Sequence, residues 1–220
     1  MGIITVMTAR HWPLFALTLR TERLELRLPT LAELDELAQV AAEGVHDPEQ
    51  MPFQVPWTDA LPQQRARSVM QYHWLKLAEW TPAAWSLQLA VFEAGRVVGV
   101  QEVGARDFAV TREVKTGSWL GRAHQGRGIG TEMRAAVLEL AFAGLGAQVA
   151  RTSVFSDNER SMAVSRRLGY RGDGGFRIGV QGRMVNGHRL VLERSDWEHH
   201  RRGRTCIDAL DACKERFGLR

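Results

Sequence analysis

Thiols are scarce in this 220-residue chain: Cys206 and Cys213 are the only two. If their segment is helical they stand about 10.5 Å apart along its axis, too far for a disulfide. Their spacing matches no zinc site either, so a disulfide-stapled or zinc-bound fold is excluded and both are expected as buried, reduced side chains. His124, His199 and His200 also lack ligand spacing, and no metal is expected. Lysine is nearly absent, supplying 3 of the 29 basic residues, an Arg bias that reads as GC-rich coding before it reads as phosphate recognition. No apolar run approaches the ~18–20 residues of a membrane-spanning helix. The stretch Ile3–Val6 is broken by Arg10, His11 and Pro13 before a signal core can form, and Val6 stands where a myristoylation signal after Gly2 needs Ser or Thr. A soluble, unexported, cytoplasmic protein with no membrane partner is expected.

What the chain does have is apolar material, 45% of its residues, enough for one sizeable core. Lys and Arg exceed Asp and Glu by 29 to 25, and the resulting +4 is spread along the chain. The one basic cluster, His199 to Arg204, is short and lacks interleaved aromatics, so no nucleic-acid partner is expected. Seven Trp and an apolar tail face are compatible with a homo-oligomer.

Alternation over Leu17–Leu28 predicts a strand ended by Pro29, with Thr30 capping a helix that carries Leu31, Leu34, Leu37, Ala38 and Ala41. A second helix is predicted from about Pro62 to Trp80. Between them, 44–60 holds Pro48, Pro52 and Pro56 with Met51, Phe53 and Trp57. It is too rich in proline for a helix and too apolar for a solvated linker, as functional loops often are. Strands over Trp85–Val91 and Val97–Val103 form a hairpin turning at Gly95, and a third strand covers Thr116–Leu120. A helix from Thr131, a strand Val149–Phe155 and a helix Asn158–Leu168 ended by Gly169 follow. A last hairpin is predicted to turn at Asn186-Gly187, and the tail from His199 to add a helix with Ile207, Leu210, Cys213 and Phe217 on one face. The chain thus divides into an arm (1–16), an α/β domain (17–198) and a C-terminal extension (199–220).

The segment Gln125-Gly126-Arg127-Gly128-Ile129-Gly130-Thr131 lies between a predicted strand and a predicted helix. Three glycines admit a ligand close to the backbone, and the helix aims free N–H groups and its positive dipole end at the same spot. A pyrophosphate cradle is the expectation, against a plain strand-to-helix turn that needs one glycine at most. A dinucleotide fingerprint fails because Thr131 takes the third glycine's place, and a P-loop fails for want of Gly-Lys-Ser/Thr.

With Gln125, Gly128 and Gly130, the segment resembles the acyl-CoA signature of the GNAT acyltransferase superfamily. Thr21–Arg27 looks like the first strand of its RimJ/RimL branch, and Trp119-Leu120 and Glu132 fit that branch. Asn158–Tyr170 is similar to the family's fourth-helix motif, and Leu190–Trp197 to its closing strand. The segment His46–Trp57 looks like an actinobacterial subgroup. The resemblance spans about Leu19 to Trp197. It implies an α/β (α+β) GNAT fold, a central mixed seven-stranded sheet flanked by about four helices, with a C-terminal helical extension.

The same resemblance implies an N-acyltransferase in which an amine attacks the thioester of acetyl-CoA or succinyl-CoA directly. Trp119 and Leu120, residues 125–131 (Gln125, Gly126, Arg127, Gly128, Ile129, Gly130, Thr131), Asn158 and Ser161 would bind the coenzyme. Many GNAT enzymes place a Tyr acid seven residues after this Asn, where Ser165 stands here; the RimJ/RimL branch favours Ser at the position of Ser161. Ser161 is the expected proton donor, with Ser165 sharing its helical face. For the base, the branch's Glu is replaced by Lys115, which leaves Glu102 and Glu113 as substitutes. Met51, Phe53 and Trp57 are expected to wall the amine site, and His46, Ser118 and Arg106 are candidates for a succinyl carboxylate. Lys115 also keeps open a silent acyl-CoA sensor or interaction protein.

Overall fold

The structure, a computed structural model, describes residues 10–219; residues 1–9 of the expected arm, with Gly2 and Ile3–Val6, lie outside them. The opening alternation folds as two antiparallel strands, β1 (Thr18–Arg20) and β2 (Leu24–Arg27), instead of one. The buried leucines shift phase between them, from Leu17 and Leu19 to Leu24, Leu26 and Leu28, because the turn at 21–23 reverses the chain. Helix α1 (Leu31–Glu43) starts at a reciprocal cap: Glu33 N donates to Thr30 Oγ1, and Thr30 N donates to the Glu33 carboxylate. Both Nη groups of Arg27 grip that carboxylate, and with the cap they hold it down to about 2. Helix α2 (Pro62–Ala78) begins on proline, where a missing N–H costs nothing.

Strands β3 (Ala84–Glu93) and β4 (Arg96–Arg106) form the expected hairpin, turning through Ala94 and Gly95 at φ 49° and 77°. A single helical turn at Phe108–Thr111 leads to β5 (Glu113–Leu120), followed by α3 (Ile129–Glu139), which is extended by a π-helical turn at Leu140–Gly144. The remaining elements are β6 (Val149–Phe155), α4 (Glu159–Arg167), β7 (Arg171–Val180), β8 (Arg183–Glu193), α5 (Arg194–His200) and β9 (Cys206–Asp208).

The strands make one mixed sheet in the order β7-β8-β6-β5-β4-β3-β2-β1-β9. The class is α/β, as expected, but the sheet has nine strands, where seven were expected, because the first strand divides and the tail adds one. Helix α3 packs Ile129, Met133 and Val137 on one face, and α1 and α2 pack Leu34, Leu37, Ala41 and Val69 on the other. Every pairing is antiparallel except β5 with β6, which is parallel and joins only residues 113–115 to 149–151.

Two further expectations are corrected. The last hairpin turns at Gln181-Gly182, both left-handed at φ 50° and 72°, while Asn186-Gly187 lie within β8. Gly187 is opposite Phe176, whose ring occupies the space a Cβ would need, so packing and not turn geometry requires this glycine. The tail is not one helix: Ile207 belongs to β9, paired with β1, and Asp211–Phe217 form a 3₁₀ helix. The three-residue period of that helix leaves Leu210 and Cys213 on one side, which imitates α-helical spacing. Cys213 is buried, and burial pushes its thiol up to about 11, but Cys206 is exposed, contrary to expectation. Among the described residues no helix is long and apolar enough to cross a membrane.

Candidate active site

After Leu120 the chain leaves the sheet through a 3₁₀ turn at Arg122–His124 and enters α3 through two left-handed glycines, Gly126 at φ 76° and Gly128 at φ 82°. That path turns successive amides outward. The N–H groups of residues 126–130 have no backbone acceptor among the described residues, whereas those of Thr131 and Glu132 reach Gly128 O. Glu132 fastens the cradle to the β1–β2 turn: Thr21 Oγ1 donates to it at 2.6 Å and Arg23 Nε at 2.8 Å. Burial alone would raise this carboxyl, but those hydrogen bonds and the Arg23 charge hold it below its ordinary value. The Gln125 side chain donates to Val45 O and Leu120 O and accepts from Arg160, and Arg127 pairs with Glu93 at 2.9 Å. Both side chains are thus tied to the scaffold, leaving the main chain to line the cradle.

Beyond Lys115 and Arg151 the parallel strands separate, and a cleft opens between β5 and β6. Thr116 O accepts from Thr152 and Leu120 O from Gln125, so even-numbered β5 residues aim their backbone polar groups at the cleft. The N–H groups of Ser118 and Leu120 therefore point into it with no strand partner. Helix α4 borders the same cleft. Asn158 caps it by accepting from Ser161 N at 3.0 Å, which leaves the amide NH₂ free of any acceptor among the described residues. The Ser161 hydroxyl is partly exposed and has no partner among the described residues. That of Ser165 is fully buried and donates to Ser161 O at 3.1 Å.

On the opposite face of β5, Glu102 of β4 pairs with Gly117. A Cβ at 117 would lie 3.1 Å from its Oε2, so glycine there leaves the carboxylate room. Ser86 Oγ donates to Glu102 Oε1 at 2.6 Å and itself accepts from Gln88 at 2.7 Å. No cation pairs with Glu102 among the described residues, whereas Glu113 is bound to Arg151 at 2.7 Å. Tyr72 of α2 overlooks the same carboxylate, and burial, with the Glu102 charge, pushes its phenol up to about 12. Loop 44–60 closes this side with an aromatic row from His46 through Phe53 and Trp57 to Trp119, ring centroids 5.7, 5.3 and 5.8 Å apart. Met51 Sδ lies 3.7 Å from Thr58 Oγ1, which also meets His46 Nε2 at 2.6 Å. The loop reaches β6 through Gln54 and Ser153, spanning the cleft. Lys115 is exposed, and Arg106 lies at the far end of β4, about 13 Å along the strand from Glu102 at ~3.3 Å per residue.

Sequence reasoning missed Tyr72, Ser86 and Arg134. Arg134, one turn into α3, is only 5% exposed and donates to Ser165 Oγ at 3.1 Å and Ser118 Oγ at 3.0 Å. A charged residue on the apolar face of a predicted amphipathic helix was the one available signal for it. Among the described residues no cluster of three or more His, Cys, Asp or Glu side chains could hold a metal.

Residues 23–171 match the family model of the acetyltransferase (GNAT) domain. Solved structures share the fold. RimJ of Mycobacterium smegmatis, in complex with CoA-disulfide, is 18% identical with TM-score 0.65, the match covering 89% of this chain and 91% of that one. RimL, a ribosomal L7/L12 alpha-N-protein acetyltransferase in complex with coenzyme A, is 18% identical with TM-score 0.63, over 79% of this chain and 95% of that one. A GCN5-related N-acetyltransferase from Brucella melitensis is 23% identical with TM-score 0.66, over 84% and 81%.

Proposed function

This chain belongs to the GNAT acetyltransferase family, and on that premise we propose that it moves an acetyl or succinyl group from coenzyme A to a primary amine by direct attack in the cytoplasm. The observation that carries the reading is the continuity of cradle and cleft. Unpartnered amides at 126–130 lead to a gap between β5 and β6 into which Ser118 and Leu120 turn their N–H groups. A diphosphate suits the first and an extended thioester arm the second. Trp119 and Leu120 flank the arm, the Asn158 amide hydrogen-bonds it, and Ser161, directly or through a water, gives the departing sulfur a proton. With a thiol pKa of about 8.5, little proton donation is needed near neutrality.

Glu102, opposite Gly117 and free of any paired cation among the described residues, is the base. Ser165, whose proton is committed to Ser161 O, supports the helix instead of donating. Phe53 and Trp57, with Met51 behind, wall the amine side. An α-amine of pKa about 8 is roughly one-tenth unprotonated at pH 7, against well under a thousandth for Lys at about 10.4. A protein N-terminus or another low-pKa amine is therefore the favoured acceptor, consistent with RimL's description as an alpha-N-protein acetyltransferase. The acyltransfer unit is 17–198, braced by 199–220.

Calorimetry with acetyl-CoA and succinyl-CoA, followed by thiol release with a panel of peptides and small amines, tests this. Micromolar binding with turnover on an α-amine is expected, and Ser161→Ala should lower kcat while leaving acyl-CoA affinity within about threefold. Binding without release from any amine would make the chain a sensor, and a strong preference for Lys side chains would overturn the acceptor assignment.

A further inference from the structure

Arg134 is a buried guanidinium with no carboxylate within ion-pair distance among the described residues, and its Nε has no partner. Among the described residues its polar contacts are two serine hydroxyls, Ser165 on α4 and Ser118 on β5. The Tyr170 phenol, which feels the Arg134 charge, is raised by burial, although that charge opposes the shift. A cation withdrawn from water is costly unless a negative charge offsets it, and neutral hydroxyls satisfy its donors without offsetting its charge. The ground state thus carries an uncompensated positive charge at the wall of the cleft.

The two serines are not equivalent. Ser165 passes its proton to Ser161 O. Ser118 accepts from Arg134, so one oxygen lone pair is committed, and its proton has no acceptor among the described residues. That residue also turns its backbone N–H into the opening beyond Lys115. A hydroxyl that accepts from a guanidinium is a stronger donor than a free one.

Resting on the acyl-CoA reading above, we infer that Arg134 is a positioning residue that holds Ser118 as a hydrogen-bond donor to the anion generated in this cleft, the departing thiolate. Acyl transfer forms the carbon–nitrogen bond and breaks the carbon–sulfur bond, and sulfur keeps the bonding pair. The ammonium proton goes to Glu102. Ser118 stabilises the sulfur without surrendering its own proton, and the charge that Arg134 lacks in the ground state is supplied as the bond breaks, before Ser161 passes the thiolate a proton.

The test compares coenzyme A with desulfo-coenzyme A, which lacks the sulfur, by calorimetry from pH 6 to 9. The free thiol titrates near about 8.5, so a site built for thiolate binds coenzyme A increasingly well, relative to the desulfo ligand, as pH rises. In the unsubstituted protein that ratio should climb at least about fivefold across the range. In Ser118→Ala and in Arg134→Lys, which cannot span both serines, it should stay within about twofold. Turnover in both variants should fall about tenfold or more with acyl-CoA KM little changed. A flat ratio in the unsubstituted protein, or a climbing one in Ser118→Ala, would reduce Arg134 to a brace between α3, α4 and β5. Ser118→Ala decides the matter alone if Arg134→Lys does not fold. Failure of both ligands to bind would instead overturn the coenzyme reading, and this inference with it.

Discussion

Glu102 differs from the other carboxylates around the cleft in what it lacks. Glu113 is bound to Arg151 and Glu132 to Arg23, so each has its charge spent on the scaffold, whereas among the described residues Glu102 accepts from a neutral serine hydroxyl and no cation. Glu102→Gln keeps shape and hydrogen bonding and removes the base, so kcat should fall about 10²-fold or more at pH 7 with acyl-CoA affinity unchanged. Activity should recover partly at alkaline pH, where the amine loses its own proton; steady-state rates across pH 6–9.5 check both. His73 of α2 makes a different prediction. It is 4% exposed, with Nδ1 3.0 Å from Val69 O and Nε2 without a partner. Burial lowers its pKa, partly countered by that hydrogen bond. The unfolded chain therefore binds a proton that the folded one refuses once pH falls below about 6.5. Stability should be independent of this group above about pH 7.5 and decline below 6.5 by up to ~1.4 kcal/mol per pH unit. Urea unfolding between pH 5 and 8 would show the slope, and His73→Gln should flatten it. Both residues became interpretable only in the fold. Gly126, Gly128, Asn158 and Ser161 are local in sequence and readable there, whereas Glu102 stood among other carboxylates until pairing brought Gly117 opposite it.

Elements whose signal is local matched their sequence, and those whose signal depends on a distant neighbour did not. Thr30 announces the start of α1, and the cap forms as read, with Glu33 completing it. The cradle glycines likewise lie together, and Gly128→Ala tests whether their conformation matters: at φ 82° an alanine costs about 1–3 kcal/mol of strain. Acyl-CoA affinity should drop about tenfold or more while circular dichroism stays unchanged. The last hairpin shows the opposite case. Asn186-Gly187 carries the stronger local turn signal, yet Gln181-Gly182 takes the turn, because Phe176 must cover a residue without a side chain in the facing strand. Gly187→Val should therefore destabilise by about 1–3 kcal/mol through overpacking, while exposed Asn186→Ala should stay within about 0.5 kcal/mol. Were 186–187 the turn, both substitutions would be costly, and denaturant midpoints distinguish the two. The β1–β2 division was visible in retrospect as the phase shift from Leu19 to Leu24, but a shift in an otherwise alternating run acquires meaning only once its strands have partners.

Both ends of the described chain meet on the α3 side of the sheet. Trp12 contacts Trp80 with centroids 6.3 Å apart, and Phe217 contacts Trp80 and Trp85 at 5.7 and 4.8 Å. Trp80 Nε1 donates to Arg216 O at 2.9 Å, and Arg216 lies over Trp12. Strand β9 covers the edge that β1 would otherwise expose and pairs with its backbone. The tail is thus a closure of the core at the sheet edge remote from the β5–β6 cleft, which predicts that stability and coenzyme binding separate. Phe217 is fully buried, so Phe217→Ala should cost about 3–5 kcal/mol. At the ~2–4 °C per kcal/mol usual for a chain of this length, that lowers Tm by about 10 °C. Cutting the chain after Arg204 removes β9 with Phe217, so it should lower Tm further and add concentration-dependent aggregation through the bare β1 edge. Acyl-CoA affinity of Phe217→Ala, measured at 15 °C where the protein remains folded, should stay within about twofold of the unsubstituted value. A tenfold loss of affinity without loss of Tm would mean that the tail shapes the cleft rather than closing the core.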